Sequence, residues 1–407
     1  MKKKLIMLAV FMLVFIPSFR TEAKVIPSMK IYVDGVSLAF PTAPEISKEN
    51  RTFVPFRAIA ESMGARVTWI GGERKIVAVD ETGKVVELYV GKSEGFINGQ
   101  AFSLDRAPYI TKGHTLIPLR FFSEAFQANV RWDGGNNTIE IETNSTKELY
   151  TMSYYGLTAF NHRQFVPKFD GMAYMWSSIS SDGKLNIERN DGEMLNEFFW
   201  PEDHPLASAD EIIQSSNDSY LMVAALSIER VKALLGNEGK QEQAIENIVS
   251  LTEEHSLDGV LLDFEGFTQK DDEWRNKYTA FVKELDDELH NQKLAIAVTP
   301  VNNYYNNYDY RELAKAADSI VLMAYGYIPT GTRHPEPLNK VEEGVVQTLE
   351  MVPKEKMLLG INLVHESDDS MKDKIALAKR YRLKGAAFWL LNQLDLKQME
   401  QIEHLSK

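Results

Sequence analysis

The chain has 407 residues, of which 44% are apolar and 25% are charged, and its formal net charge is −13 at pH 7. This length exceeds one ordinary hydrophobic core and predicts two or three domains. The sequence contains no cysteine, which excludes disulfides, thiolate nucleophiles and cysteine-ligated zinc. Because nucleic-acid binding needs a basic surface, the acidic balance predicts no nucleic-acid partner and leaves a glycan open.

The first residues predict a targeting segment. Lysines at 2–4 precede an unbroken apolar run over 5–16, and Thr21 and Ala23 offer small residues at the −3 and −1 cleavage positions. This pattern is typical of a secretory signal peptide at residues 1–23. The alternative is a membrane anchor, but a span needs roughly 20 apolar residues. We expect a protein that is secreted or associated with the cell wall, with no stable membrane span after cleavage. The oligomeric state stays unknown at this point.

Residues 24–145 contain an internal repeat. Residues 51–57 are echoed by residues 114–120, and Trp69 is echoed by Trp132 at the same offset. Each copy predicts short strands, a Pro-x-Arg element that leads into a short helix, and two strands around a Gly-Gly turn. These motifs resemble the copper amine oxidase N-terminal-like domain, also called a stalk domain, which implies a small α+β module. We expect no copper, because His114 is the single histidine of the repeat and copper sites need several imidazoles. A structural or wall-contacting role is expected, and whether the module is a tether, a spacer or a dimer contact stays open.

After a polar connection at residues 144–148, strand-like runs alternate with helix-like stretches over residues 146–407. Such alternation predicts a parallel sheet, and eight units in about 260 residues match a (β/α)8 TIM barrel, which typically has ~250. The fold class is therefore α/β. A doubly wound open sheet is the alternative, although no glycine-rich phosphate loop supports it. The predicted strands are 149–153, 171–177, 220–226, 259–264, 294–298, 319–323, 357–362 and 385–391.

The segment 257–265 carries the candidate chemistry. Since side chains alternate with a period of two along a strand, Leu261, Asp263 and Glu265 share one face and point into the barrel. Two carboxylates on an apolar strand are costly to bury. At the carboxyl end of a barrel strand they indicate catalysis. The structural alternative is a buried salt bridge or an end cap.

This segment resembles the fourth-strand signature of family 18 glycoside hydrolases, Asp-Gly-x-Asp-x-Asp-x-Glu. Asp258, Gly259, Asp263 and Glu265 match it, whereas Leu261 stands where the family usually has Asp or Asn. The departure removes a polar group that normally helps to position Asp263.

Further matches follow in the order of the family. Residues 322–325 resemble its Met-x-Tyr-Asp motif, with Tyr325 at the tyrosine and Gly326 in place of the aspartate. Residues 356–361 resemble its seventh strand. Residues 385–389 resemble its eighth strand, with Trp389 at the tryptophan that forms the floor of the −1 sugar site. The bacterial cell-wall and spore cortex-lytic N-acetylglucosaminidase branch is the most similar.

The resemblance implies a glycosidase that cleaves β-1,4-linked N-acetylglucosamine glycans, in peptidoglycan or a chitin-like polymer. Its mechanism is substrate-assisted and retaining, and it requires no metal or cofactor. Glu265 would be the general acid and base, with its pKa raised by the neighbouring charge of Asp263. Asp263 would hold the substrate's 2-acetamido N–H, Tyr325 would donate to the acetamido oxygen, and Trp389 would stack on the sugar.

Four further residues are candidates for substrate binding: Asp258, Tyr327, Tyr174 and Trp176. For Tyr174 and Trp176, core or rim packing is an equal alternative. An alternative function is a glycan-binding or structural surface protein whose barrel has weak or no turnover, as the departures at Leu261 and Gly326 suggest. Endo and exo cleavage are not distinguished by the sequence.

Overall fold

The computed structural model describes residues 29–34, 36–38, 45–46, 52–80, 82–143, 148–189, 198–201, 206–329, 332 and 334–406. The predicted signal peptide at residues 1–23 lies outside these ranges, as does most of the predicted connection at 144–148. Within these ranges, no helix is both long enough and apolar enough to cross a membrane.

A sheet-rich module forms the N-terminal part of the described chain. Helices α1 (Phe56–Ser62) and α2 (Arg120–Phe126) lie at equivalent places in the two predicted copies. The strands are β1 (Lys30–Val33), β2 (Val36–Ser37), β3 (Glu45–Ile46), β4 (Thr52–Pro55), β5 (Arg66–Ile70), β6 (Lys75–Val79), β7 (Val85–Tyr89), β8 (Glu94–Ile97), β9 (Gln100–Ser103), β10 (Tyr109–Thr111), β11 (His114–Pro118), β12 (Asn129–Asp133) and β13 (Thr138–Glu142). They form three sheets, in the orders β12-β13-β1-β2, β10-β11-β4-β3 and β5-β6-β7-β8-β9.

The two copies of the repeat share one hydrophobic core. Phe56 of the first copy lies 6.0 Å from Phe122 and 6.1 Å from Phe121 of the second copy, measured between ring centroids. All three rings are buried. A single supersecondary unit cannot bury its apolar face alone. The duplication therefore supplies the second half of a core that one copy would leave open.

The C-terminal part consists of strands that alternate with helices. Its strands are β14 (Tyr150–Tyr155), β15 (Gly171–Ile179), β16 (Leu185–Asn186), β17 (Asp218–Ala225), β18 (Gly259–Phe264), β19 (Lys293–Val298), β20 (Ser319–Leu322), β21 (Met357–Asn362) and β22 (Gly385–Trp389). Its helices are α3 (Ala209–Gln214), α4 (Ile228–Leu235), α5 (Glu238–Glu254), α6 (Asp272–Leu289), α7 (Tyr310–Ala316), α8 (Leu338–Thr348), α9 (Asp368–Arg380) and α10 (Leu396–Ser406). Short 3-10 helices occupy Leu157–Lys168, Lys354–Lys356 and Leu391–Gln393.

Eight of these strands, all except β16, close a parallel barrel. The strand order is β14-β22-β21-β20-β19-β18-β17-β15, and β14 pairs with β15 as well as with β22. This last pairing closes the sheet and excludes the open doubly wound alternative. The eight predicted strands and the predicted barrel are confirmed.

The barrel has an inner and an outer apolar layer. Apolar residues such as Ala173, Met222, Leu261 and Ala387 fill its interior. The alternate residues of the same strands pack against the surrounding helices. Because the side-chain period is two, one register decides which residues reach the interior. Leu261 faces inward as predicted, and Asp263 and Glu265 continue the same face of the strand.

Three aspartates cap strands at the end of the barrel where the strands begin. Asp170 accepts hydrogen bonds from the backbone N–H and hydroxyl of Thr151, at 2.7 and 2.8 Å. Asp258 accepts the same pair of bonds from Ser219, at 2.8 and 2.7 Å. Asp318 accepts from the N–H of Leu294 at 2.9 Å. Each carboxylate thus satisfies the first amides of the neighbouring strand, which would otherwise lack partners.

The repeat module contacts the barrel at this same end. A cavity of about 480 Å³ is lined by Asp34 of the module and by Lys379 and Arg382 of the barrel. Gly64 has a φ of 82°, which favours glycine, and it lies against the Arg382 guanidinium, which would be 2.6 Å from a Cβ atom at this position. Arg382 lies in the turn between α9 and β22. These contacts between described residues of the module and the barrel lie at the end opposite to the one where the strands finish.

Candidate active site

Strand β18 brings two carboxylates to the open end of the barrel. Every residue of Gly259–Phe264 is buried, and a Cβ on Gly259 would lie 2.2 Å from the carbonyl oxygen of Lys293, so β18 and β19 approach closely there. Glu265 extends the strand, because its N–H donates to the carbonyl of Ala225 at 2.9 Å. Gly266 then adopts a φ of 95°, which favours glycine, and the chain turns away.

Asp263 is the more deeply placed of the two acids. Its residue is 4% exposed, and its buried Oδ1 atom has no hydrogen-bond partner among the described residues. Burial raises the pKa of Asp263 well above its usual value, and repulsion by Glu265 raises it further. Burial also raises the pKa of Glu265, which is half-buried. The two carboxyls therefore compete for a proton and titrate as a pair.

The direction of the pKa shift of Glu265 is as predicted. Burial by the barrel wall is the largest cause of the raised pKa for both acids. The like-charge repulsion that the sequence predicted belongs to the pair as a whole, because the two carboxyls titrate together.

Two tyrosines lie near the pair on the inner face. Tyr325 follows β20, and Tyr154 lies on β14 and is 3% exposed. Burial raises the pKa of both hydroxyls, and the charge of Asp263 adds to each shift. Both hydroxyls are thus held protonated, as hydrogen-bond donors. Sequence reasoning missed Tyr154 because the predicted first strand ended at residue 153, two residues before the end of β14.

Trp389 stands beside Tyr154 at the end of β22. Their ring centroids are 4.9 Å apart with an interplanar angle of 60°. Trp389 is half-buried and packs against the inner apolar layer of the barrel. It therefore offers an aromatic surface on the same side of the barrel wall as Asp263 and Tyr325.

Tyr308 fixes the backbone between the two acids from the outer side. It is 5% exposed, and its hydroxyl donates to the carbonyl oxygen of Phe264 at 2.9 Å. Phe264 separates Asp263 from Glu265 in the chain. The sequence analysis assigned Tyr308 no role. Its contact with this carbonyl could not be read from spacing, because it lies in the loop after the next strand.

Tyr327 lies in the loop that follows Tyr325. Its hydroxyl donates to Oδ1 of Asn302 at 2.8 Å, and its N–H donates to Glu336 at 3.1 Å. Both contacts tie the loop to neighbouring loops. The predicted role of Tyr327 in substrate binding stays a prediction.

Tyr174 and Trp176 do not line the barrel interior, so this prediction was wrong. The inward residues of β15 are Ala173 and Met175, and the alternate positions face the helices. The Tyr174 hydroxyl donates to the carbonyl of Ile212 at 3.0 Å. Trp176 is fully buried and packs on Trp200, with ring centroids 5.2 Å apart. Aromatic type suggested a sugar contact, but the strand register places both rings in the outer core.

The prediction that Asp258 binds substrate was also wrong. Asp258 directly precedes β18 and caps Ser219 at the starting end of the barrel. It is separated from Glu265 by the full length of the strand, roughly 20 Å at 3.3 Å per residue. Its match to the family signature therefore marks a position that stabilises the strand start.

Comparisons with known proteins agree with both resemblances. Residues 32–141 match the family model of the copper amine oxidase N-terminal domain, and residues 229–367 match that of glycosyl hydrolases family 18. Asp263, Glu265 and Tyr325 lie inside the second range. The matches confirm the predicted family resemblances, the second of them over residues 229–367, and they support a glycosidase. No curated protein sequence matches the chain significantly.

Solved structures share the barrel at low sequence identity. A chitinase from Chromobacterium violaceum is 20% identical, with a TM-score of 0.52 over 63% of this chain and 98% of that one. The Bacillus cereus spore cortex-lytic enzyme SleL is 16% identical, with a TM-score of 0.52 over 65% and 75%. A Cycas revoluta GH18 chitinase in complex with (GlcNAc)3 is 13% identical, with a TM-score of 0.50 over 63% and 98%. At these identities the likeness establishes the fold.

Proposed function

We propose that this chain is an exported glycoside hydrolase that cleaves β-1,4-linked N-acetylglucosamine glycans by substrate-assisted, retaining catalysis. One observation carries the proposal: Asp263 and Glu265 lie together on the inner face at the open end of the barrel, and burial raises the pKa of both. A raised pKa shifts Glu265 toward the protonated form that a general acid requires. The structural alternatives of a salt bridge or an end cap find no support in the contacts of Asp263.

The proposed reaction begins with proton transfer from Glu265 to the glycosidic oxygen. As the bond from C1 to that oxygen breaks, the carbonyl oxygen of the sugar's 2-acetamido group forms a bond to C1. The leaving sugar departs with the proton, and a cyclic oxazolinium ion remains. Glu265, now ionised, accepts a proton from water while the water oxygen adds to C1 and reopens the ring. Two displacements at C1 retain its configuration, and Glu265 ends protonated.

Asp263 supplies the negative charge in this scheme. Its unpartnered Oδ1 is available to accept the acetamido N–H, which orients the acetamido oxygen toward C1. When the oxazolinium carries positive charge, an ionised Asp263 stabilises it, and the low dielectric around this buried carboxyl strengthens the attraction. Buried carboxylates are costly without a partner. The substrate therefore provides a partner that the described residues do not.

The aromatic residues position the sugar. Tyr325 donates from its protonated hydroxyl to the acetamido oxygen, and its raised pKa keeps that proton in place. Trp389 packs against the apolar face of the ring, with Tyr154 behind it at 4.9 Å. Orientation of this kind lowers the entropic part of the barrier.

The substrate class is a cell-wall or chitin-like glycan. Support comes from the family 18 match and from the structural neighbours, which include a spore cortex-lytic enzyme and a chitinase bound to (GlcNAc)3. Export is supported by the signal-like residues 1–23, and we propose a secreted or wall-associated protein. The repeat module is proposed as a spacer, because it contacts the end of the barrel opposite the acids.

The test is a digest of purified peptidoglycan and of N-acetylglucosamine oligomers, with products identified by mass spectrometry. Wild-type protein should produce new reducing ends at N-acetylglucosamine. Glu265→Gln should lower turnover by about 10²–10⁴-fold, since it removes the proton donor. Glu343→Gln is the matched control, because Glu343 is a partly exposed surface residue paired with Lys340. Turnover that persists in Glu265→Gln would overturn the assignment of the general acid.

A second candidate function is glycan binding with little or no turnover. The observation in its favour is Leu261, which is fully buried at the position where the family usually has a polar residue. Asp263 consequently has an apolar neighbour below it on the same face. Binding of N-acetylglucosamine oligomers without product, in wild type and in Glu265→Gln alike, would establish this function instead.

A further inference from the structure

The loop after Tyr325 is held by a buried carboxylate that no motif includes. Gly326 has a φ of 81° and stands where the family has an aspartate. The N–H groups of Gly326 and Tyr327 donate to the two carboxylate oxygens of Glu336, at 2.8 and 3.1 Å. Glu336 is 3% exposed. Each oxygen therefore receives one amide, in the geometry by which a carboxylate fixes a short backbone segment.

Glu336 is itself held rigidly. Its N–H donates to Oε1 of Glu366 at 3.3 Å, and its carbonyl accepts from the Lys374 ammonium at 3.1 Å. Lys374 and Glu366 form an ion pair at 2.7 Å, with side chains 2% and 1% exposed. A buried pair in such contact is lost only at a high cost in free energy. The anchor for the loop is thus built on α9 and on the segments before α8 and α9.

The same loop determines where the Tyr325 ring lies. On one side, a Cβ added to Gly360 of β21 would lie 3.2 Å from Cε1 of Tyr325, so the ring packs directly on that strand. The backbone N–H of Tyr325 donates to the carbonyl of Met323 at 2.8 Å. These contacts hold the residue from the strand side. The next two residues, Gly326 and Tyr327, are held by the hydrogen bonds from their N–H groups to Glu336.

We infer that Glu336 is a positioning residue for Tyr325, and this inference rests on the proposed function of Tyr325 as a donor to the acetamido group. The carboxylate holds the two amides that follow Tyr325, and thereby keeps the phenol over the site. In the family motif, the residue after the tyrosine is an aspartate. This chain has Gly326 at that position, and Glu336, ten residues further along the chain, places a carboxylate beside it.

A double-mutant cycle tests whether Glu336 acts through Tyr325. Glu336→Ala should lower kcat on N-acetylglucosamine oligomers by roughly 10- to 100-fold, as expected when a reacting group shifts by about 1 Å. KM should change by less than about threefold. In a Tyr325→Phe background the same substitution should change kcat by less than about twofold, because the hydroxyl it positions is already absent. Glu336→Gln keeps one acceptor oxygen and should restore part of the lost kcat.

A merely structural Glu336 gives a different pattern. It would lower kcat by the same factor in the wild-type and Tyr325→Phe backgrounds, and that additivity would overturn the inference. Glu350→Ala is the control, since Glu350 is an exposed residue just after α8 and should leave both backgrounds unchanged. Thermal unfolding of each variant identifies any that fail to fold.

A spectroscopic measurement separates this inference from the proposed reaction. The protein is labelled with [13Cζ]-tyrosine, and the Tyr325 resonance is assigned from its loss in Tyr325→Phe. Glu336→Ala should shift or broaden that resonance, whereas Glu350→Ala should not. This readout needs no turnover, so it stands if the protein proves to be a binding protein. A Tyr325 resonance unchanged by Glu336→Ala overturns the inference even if the hydrolase activity is confirmed.

Discussion

The two ends of the barrel carry acidic residues in opposite situations. At the end where strands begin, Asp170, Asp258 and Asp318 each accept a hydrogen bond from a strand amide, at 2.7–2.9 Å. At the end where strands finish, Asp263 is more deeply buried, and its Oδ1 has no partner in the described part of the protein. The same residue type thus serves as a satisfied cap at one end and as an uncompensated carboxyl at the other.

This difference separates stability from function on a single strand. Asp258 and Asp263 flank the apolar part of β18, and both match the same sequence signature. Only their contacts distinguish them. A paired acid contributes free energy to folding, whereas a buried unpaired acid costs it and persists where a site needs a reactive group. We therefore expect substitutions at the two ends to change stability in opposite directions.

Asp263→Asn should produce the largest effect. We expect kcat to fall by about 10²–10³-fold, because the charge that stabilises the oxazolinium is lost. At pH 7 the melting temperature should rise, because the amide has no charge to desolvate. Kinetics on N-acetylglucosamine oligomers and thermal unfolding of the same preparation give both quantities. A variant that loses both activity and stability would show that Asp263 is a structural acid, like those at the other end.

The pH dependence of stability gives the sign of this effect independently. The folded-state pKa of Asp263 is raised above its ordinary value of 3.8. The folded state therefore binds the proton more tightly than the unfolded state does. This tighter proton binding stabilises the folded state fully below pH 3.8. The stabilisation is lost as the pH rises through the raised folded-state pKa. The difference in melting temperature between Asp263→Asn and wild type should grow over this interval. A constant difference would contradict the raised pKa.

Asp258→Ala should lower stability and leave kcat nearly unchanged, and its effect should be smaller than that of Asp263→Asn. It removes the acceptor for the N–H and hydroxyl of Ser219, and loss of such bonds to a charged group costs roughly 1.5–3 kcal/mol. Because Asp258 lies at the far end of β18, kcat should stay within about twofold of wild type. Urea unfolding and steady-state kinetics check the two expectations. Asp258→Asn is the matched control, since its amide oxygen keeps one acceptor and should lose less stability.

The barrel could be predicted because its signals are local. Strand runs, helical spacing and the order of motifs identified all eight strands, and the predicted bounds of β18 and β21 coincide with those observed. The inward face of β18 followed from the period of two. These features depend only on residues that are neighbours in sequence.

The failures in the site have one physical origin, because register and long-range contacts are not local. Tyr174 and Trp176 were assigned by residue type, but one step in strand parity places them in the outer core. Tyr154 lies just beyond the predicted end of its strand, and the ends of strands are the positions that a sequence determines least well. Glu336 reaches Gly326 across ten residues of loop, and Tyr308 reaches Phe264 across 44 residues of sequence. Spacing alone carries no information about such contacts.

The smallest effect concerns the barrel wall itself, where the same substitution is made on its two sides. Tyr174→Phe removes the outer-layer hydroxyl that donates to the Ile212 carbonyl, and it should cost about 1 kcal/mol of stability with no change in kcat. Tyr325→Phe removes an inner hydroxyl, and it should lower kcat while leaving stability nearly unchanged. Kinetics and urea unfolding of both variants test the assignment of faces. A fall in kcat for Tyr174→Phe would return Tyr174 to the substrate cleft and contradict the observed register of β15.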